Sequence, residues 1–149
     1  YYNCIEGTTS AEAVTIKNCI IHDEVNTIGG GSPSPANANF GGGVFLGTGH
    51  AFTIQNNIFY RMQTALVDYT ATTAHKILNT TSVNTWYSAF FIFMMDTPSP
   101  IVDVINSIGL DFDPNSFAAI GFDICNDSAA SKNNMSEDTS APGDNCLKL

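Results

Sequence analysis

The side chains of this chain best suited to breaking bonds are its aspartates. Hydrolysis of a glycosidic bond takes two carboxylates on one surface, split in pKa so that one donates a proton and the other accepts one or attacks. Asp68 in ALVDY, Asp96 just after AFFIFMM, and Asp111 and Asp113 in LDFDP are the acids whose surroundings could bring them together. Of the histidines, His22 and His75 fall on the apolar side of alternating stretches, where an imidazole usually hydrogen-bonds within the core, and His50 follows a Gly47-Thr48-Gly49 turn. Neither Cys nor an acid stands at zinc-ligand spacing from them, G-x-S-x-G is absent, and Gly29–Gly31 and Gly41–Gly43 lack the Lys and Ser/Thr of a phosphate loop. Three N-x-S/T sequons begin at Asn79, Asn126 and Asn134.

These residues must be positioned by strands. Five segments align on an asparagine: VTIKNCIIH, FTIQNNIFY, HKILNTTSV, VDVINSIGL and FDICNDSAA. With Asn18, Asn56, Asn79, Asn106 and Asn126 as position zero, position minus two reads Ile16, Ile54, Ile77, Val104 and Ile124, and minus three reads Thr15, Thr53, Lys76, Asp103 and Asp123. Apolar and polar residues alternate with period two, the pattern of a strand with one buried face. Plus two (Ile20, Ile58, Thr81, Ile108, Ser128) and plus four (His22, Tyr60, Val83, Leu110, Ala130) are mostly apolar, which predicts a second strand with those positions inward. Asn at the bend tolerates the left-handed conformation and can hydrogen-bond to the next Asn. Its side chain is expected to point inward, which leaves Asn134 as the credible glycan acceptor.

Successive asparagines stand 38, 23, 27 and 20 residues apart, lengths that suit one solenoid turn of three short strands. Gly43–Leu46, Ala65–Tyr69, Ala89–Met94 and Ala118–Phe122 supply the third strand of each turn. The longest interval holds residues 29–39, GGGSPSPANAN, read as a loop protruding from one corner. Residues 127–149 lose the alternation and read as an irregular capping tail.

The φ-x-φ-x-N-x-φ repeat, with φ apolar, resembles the pectin-lyase-like right-handed parallel β-helix superfamily with its internal asparagine ladder. The tail SEDTSAPGDNCL is similar to a segment of secreted and surface β-helix proteins. That resemblance implies an all-β solenoid of about five turns; residues 1–149 have the length of a single domain, and an opening Tyr1-Tyr2-Asn3-Cys4 with no initiator Met or signal segment is read as that of a piece of a longer chain. It leaves activity open, since the superfamily holds lyases, hydrolases, tailspikes and adhesins. A lyase of that kind would carry a carboxylate cluster for Ca²⁺ beside an Arg or Lys base; here Arg61 is the sole Arg and Lys17, Lys76, Lys132 and Lys148 are scattered. No other cofactor is implied.

Charge narrows the partners. Fourteen acidic against five basic residues give a net charge of -9, which disfavours nucleic acid and anionic membranes. The apolar run Ala89–Met95 is far shorter than the roughly 20 residues of a membrane helix. Charged residues are only 13% of the chain, so the polar surface rests on Asn, Thr, Ser and Gly, as in many secreted β-proteins. The four cysteines, Cys4, Cys19, Cys125 and Cys146, favour an oxidising compartment and local pairing, Cys4 with Cys19 and Cys125 with Cys146, against free buried thiols. The function expected is that of a non-catalytic structural or adhesive module, extracellular or on a cell or virion surface, engaging polysaccharide or neighbouring subunits and forming homo-oligomers. The alternative is a carbohydrate-active enzyme using outer-wall carboxylates.

Overall fold

The structure is a computed structural model and describes residues 5–7, 13–22, 42–46, 51–68, 75–92, 101–110, 120–124 and 128–148. Among them the chain is all-β, and each of the copies centred on Asn18, Asn56, Asn79 and Asn106 forms a strand on either side of its asparagine. The strands are β1 (Ile5–Gly7), β2 (Val14–Lys17), β3 (Ile20–His22), β4 (Gly42–Leu46), β5 (Phe52–Gln55), β6 (Ile58–Asp68), β7 (His75–Leu78), β8 (Thr81–Ile92), β9 (Val102–Ile105), β10 (Ile108–Leu110), β11 (Ile120–Ile124), β12 (Met135–Ser136) and β13 (Leu147–Lys148). Every pairing is parallel.

The small sheet runs β2-β5-β7-β9 in exact sequence register with the repeat: Ile16 pairs with Ile54, Ile54 with Ile77, and Ile77 with Val104. All four are buried, as the alternation requires. The large sheet runs β1-β4-β6-β8-β10-β12-β13, with β3 also beside β6 and β11 beside β8. The long strands β6 and β8 serve both parts. Their first halves pair with β3 and β10, and their second halves with β4 and β11. Arg61 and Asn84, with φ of 54° and 53°, mark the bend between the halves. Val44, Leu66, Phe90 and Phe122 stack in register and are buried, and the rings of Phe90 and Phe122 lie 5.1 Å apart. This file and the Ile16 file belong to one buried hydrophobic core.

Asn18, Asn56, Asn79 and Asn106 all adopt the left-handed conformation, φ between 48° and 58°. A residue in that region turns the chain so that the alternation does not carry across it. Ile20 and Ile58, at plus two, are therefore exposed, His22 at plus four is exposed, and the inward positions become plus one and plus three. The expected inward set after the bend is thus reversed: Asn57, Thr80 and Ser107, then Ile21, Phe59, Ser82 and Gly109, are the buried residues.

The tail departs from the irregular cap expected of it. Asn133 and Asn145 are left-handed as well, with φ of 56° and 54°, and each is followed by a short parallel strand, β12 and β13. Isolated bridges join Ile105 to Lys132 and Lys132 to Asp144. The fifth copy is therefore centred on Asn133 and a sixth and shortest on Asn145, while Asn126, expected at the fifth, lies outside the described residues. Ile124 sits in β11 against Ile92 of the large sheet instead of below Val104. Half-buried strands share one alternation, so FDIC imitates the small-sheet pattern. The true copy, SKNNMS, hid itself by placing Ser131 where the others have Ile or Val. That serine is buried, its Oγ accepting from Val104 N–H at 3.0 Å and donating to Val102 O at 3.2 Å. Gly143, φ 87°, is the one residue type that fits the return, because a Cβ there would lie 2.0 Å from Ser131 O. The 29–39 loop lies outside the described residues.

Candidate functional site

The asparagine bend divides two jobs between neighbouring residues. At position zero the exposed amides form a ladder: Asn56 Nδ2 donates to Asn18 Oδ1 (3.2 Å), Asn79 to Asn56 (3.1 Å), Asn106 to Asn79 (3.0 Å) and Asn133 to Asn106 (3.1 Å). At plus one, buried polar side chains satisfy backbone groups inside the bend. Asn57 Oδ1 accepts from Cys19 N–H and its Nδ2 donates to Ile16 O, both at 2.9 Å. Asn134 accepts from Ser107 N–H and donates to Val104 O and Pro142 O, each at 2.8 Å. Asn134, the expected glycan acceptor, thus has its amide buried and engaged in the folded chain. Sequence reading had the two positions interchanged.

Beside the ladder lies the outer face of the large sheet. Register places Ile20, Ile58, Thr81, Ile108, Met135 and Leu147 in one file. Ile20 is 65% exposed, Ile58 43% and Leu147 51%. A second file holds His22, Tyr60, Val83 and Leu110, with the His22 and Tyr60 rings stacked at 4.8 Å. Over β3, β6, β8 and β10 these two files carry no acid and no base except His22. Past Leu110 the register of β10 with β12 brings Glu137 to the end of the second file, while Arg61 lies one residue beyond Tyr60. On the opposite side of the ladder the small sheet exposes Lys17 and Lys76, and Lys132 is exposed where it bridges to Ile105.

The aspartates proposed for hydrolysis are not assembled among the described residues. Asp68 ends β6, in register with Leu46 and Ile92, and only its backbone is described. Asp96, Asp111 and Asp113 lie outside the described residues. His75 does point inward as expected: Phe52 N–H donates to its Nδ1 at 3.3 Å, the two rings stack at 4.2 Å, and burial lowers its pKa to about 4. Such an imidazole is a neutral core member. Among the described residues no three His, Cys, Asp or Glu gather as a metal site.

Cys19 and Cys146 are free thiols, so neither expected disulfide is present at them. Each Sγ is instead turned to a carbonyl, Cys19 to Lys17 O at 3.3 Å and Cys146 to Pro142 O at 2.9 Å. Cys146 follows Asn145 as Cys19 follows Asn18, so both serve as the small polar residue of a bend. Cys4 and Cys125 lie outside the described residues.

One polar cluster escaped the sequence reading. Asp138 Oδ1 accepts from Ser136 Oγ at 2.6 Å, from Ser140 Oγ, and from Ser140 N–H at 2.9 Å, while Oδ2 accepts from Gly121 N–H at 3.3 Å. Ser140 Oγ accepts from Phe122 N–H at 2.8 Å. Burial pushes the Asp138 carboxyl up, but the hydrogen bonds outweigh it and hold its pKa below the ordinary value. The cluster satisfies backbone donors of β11, so its role is to clip the tail to the large sheet. A shallow pocket of about 320 Å³, lined by Ser128, Ala129, Ser131, Gly143 and Asp144, lies near the last bend.

Neither a protein-family model, nor a curated protein, nor a solved structure matches this chain.

Proposed function

We propose that this chain is a non-catalytic structural or adhesive module of an extracellular or surface protein, wound as a right-handed parallel β-helix of the pectin-lyase-like kind. Its outer sheet faces are its working surfaces, offered to glycans or to neighbouring subunits. Three features support the winding: all-parallel pairing, strands that alternate between the two sheets along the chain, and one asparagine ladder through five copies. Parallel crossovers of this kind are right-handed in nearly every protein. The single observation that carries the function is the file Ile20, Ile58, Thr81, Ile108, Met135, Leu147 on one sheet face, with Ile20, Ile58 and Leu147 exposed and the others half-buried. A mostly apolar file on an exposed sheet face marks a contact site.

The test is a polysaccharide panel run for retention and for cleavage together. Retention of the wild-type protein on at least one polymer, or self-association, without new reducing ends or unsaturated uronates, is the expected result. Release of either product overturns the non-catalytic reading. A protein that neither binds any polymer nor self-associates overturns the adhesive one.

A further inference from the structure

We propose that Asn79 is an N-glycan attachment site whose sugar the folded chain carries without breaking the asparagine ladder. The inference rests on the extracellular reading and goes beyond it, to a modification of this chain. The six asparagines that centre the copies, Asn18, Asn56, Asn79, Asn106, Asn133 and Asn145, are all exposed. Asn79 alone has a hydroxyl residue two places on, Thr81, and Thr80 between them is not proline, which completes the acceptor motif. In the other copies that place holds Ile20, Ile58, Ile108, Met135 and Leu147. Thr81 is therefore the one polar break in an apolar file, and it falls where it makes a ladder asparagine an acceptor. The sequon at Asn134 is built differently. Both hydrogens of its buried Nδ2 are engaged, by Val104 O and Pro142 O, and its Ser136 hydroxyl is held by Asp138. The third sequon, at Asn126, lies outside the described residues.

The geometry of the amide explains how a sugar fits. Attachment displaces pyrophosphate from the anomeric carbon of a lipid-linked oligosaccharide: the bond from Nδ2 to that carbon forms, the carbon–oxygen bond breaks with its electron pair leaving on the pyrophosphate, and one Nδ2 proton is released. One hydrogen remains on Nδ2. Asn79 donates to Asn56 at 3.1 Å and accepts from Asn106 at 3.0 Å, and these neighbours lie on opposite sides of it in the stack. The hydrogen it donates therefore points away from its own Oδ1. A substituted amide is planar and prefers trans, which sets the sugar on the side of Oδ1 and the remaining hydrogen on the far side. The hydrogen that the ladder uses is thus the one that the sugar leaves. Transfer takes place on the extended chain, so the fold decides which occupied asparagine it can house. Exposed Asn79, which donates once, meets that condition; buried Asn134, which donates twice, does not.

Secretion of the full chain from a eukaryotic host behind a cleaved leader tests the proposal, with the same chain made in a bacterium as the sugar-free reference. Peptide mapping should find a glycan on Asn79. Thr81→Ile, which gives this copy the residue type of its neighbours, should abolish that glycan and leave the circular dichroism spectrum unchanged. The fraction carrying sugar at Asn79 alone, trimmed to its first residue, should melt within about 1 °C of the reference. Asn79→Asp from the bacterium, which lacks the donor to Asn56, should melt roughly 2–4 °C lower. A folded, secreted wild type with Asn79 bare overturns the proposal. So does a trimmed glycoprotein that melts as low as Asn79→Asp, since its ladder bond is then lost. A wild type held back unfolded while Thr81→Ile is secreted overturns it as well, because the fold then rejects the sugar. An occupied Asn79 on a protein that binds no polysaccharide and does not self-associate leaves this inference standing and the adhesive reading fallen; a bare Asn79 on a protein that binds does the reverse.

Discussion

The asparagine at each bend does two things that a single substitution can separate. Asn79 accepts from Asn106 and donates to Asn56, and it holds φ at 48°. Alanine removes both hydrogen bonds and pays a further 1–2 kcal/mol, roughly, for the left-handed conformation; glycine removes the same bonds but enters that region freely. Asn79→Ala should therefore lower the unfolding free energy by about 2–3 kcal/mol, and Asn79→Gly by about 1 kcal/mol less. Urea unfolding of both variants measures the difference, and equal losses would place the whole effect in the ladder bonds. The type and spacing of these asparagines were readable because a bend residue needs both traits. Which neighbour faces inward was not, since the alternation on either side says nothing about the turn made between.

At the scale of the element, β8 shows what the inward positions tolerate. Ser107 and Asn134 are buried and hydrogen-bonded to backbone, whereas the hydroxyls of Thr64, Ser82 and Thr85 are buried with no hydrogen-bond partner. An unmet hydroxyl costs free energy that its isosteric methyl does not. Thr85→Val should accordingly leave stability unchanged or raise it by about 1 kcal/mol, while Asn134→Ala, which strands Ser107 N–H, should lower it by about 2–3 kcal/mol. Guanidinium melts of the two variants decide whether polar residues inside this fold act by type or by partner. The strands of the small sheet were legible as elements through their buried aliphatic files. The tail strands β12 and β13 are two residues each, too short for any period to register, and only pairing with the preceding copies makes them strands.

Across the whole molecule, the buried His75 sets a pH window. Its folded pKa of about 4 lies below the roughly 6.5 of an unfolded chain. Between those values the unfolded state binds the additional proton, so stability falls as pH drops from about 6.5 towards 4. Asp138, with its pKa lowered, loses its contribution only as pH falls through that lowered value, below the histidine window. Thermal melts from pH 7.5 to 4 should show a decline in the wild type that is shallower in His75→Leu, and parallel profiles would remove His75 as its source. By itself the sequence determined that this chain is built of repeated β-strands, that Ile16, Ile54, Ile77 and Val104 form one buried file, and that Asn18, Asn56, Asn79 and Asn106 stand at bends. Those traits are local or periodic, and burial of one strand face imposes them on composition directly. The tertiary structure alone decided that the last copies belong to Asn133 and Asn145, that Ile124 joins the other sheet, that Cys19 and Cys146 serve bends as free thiols, and that the isoleucines after the bend face outward. Each of these depends on which strand lies beside which and on one left-handed residue reversing the sides of the chain, neither of which leaves a periodic trace.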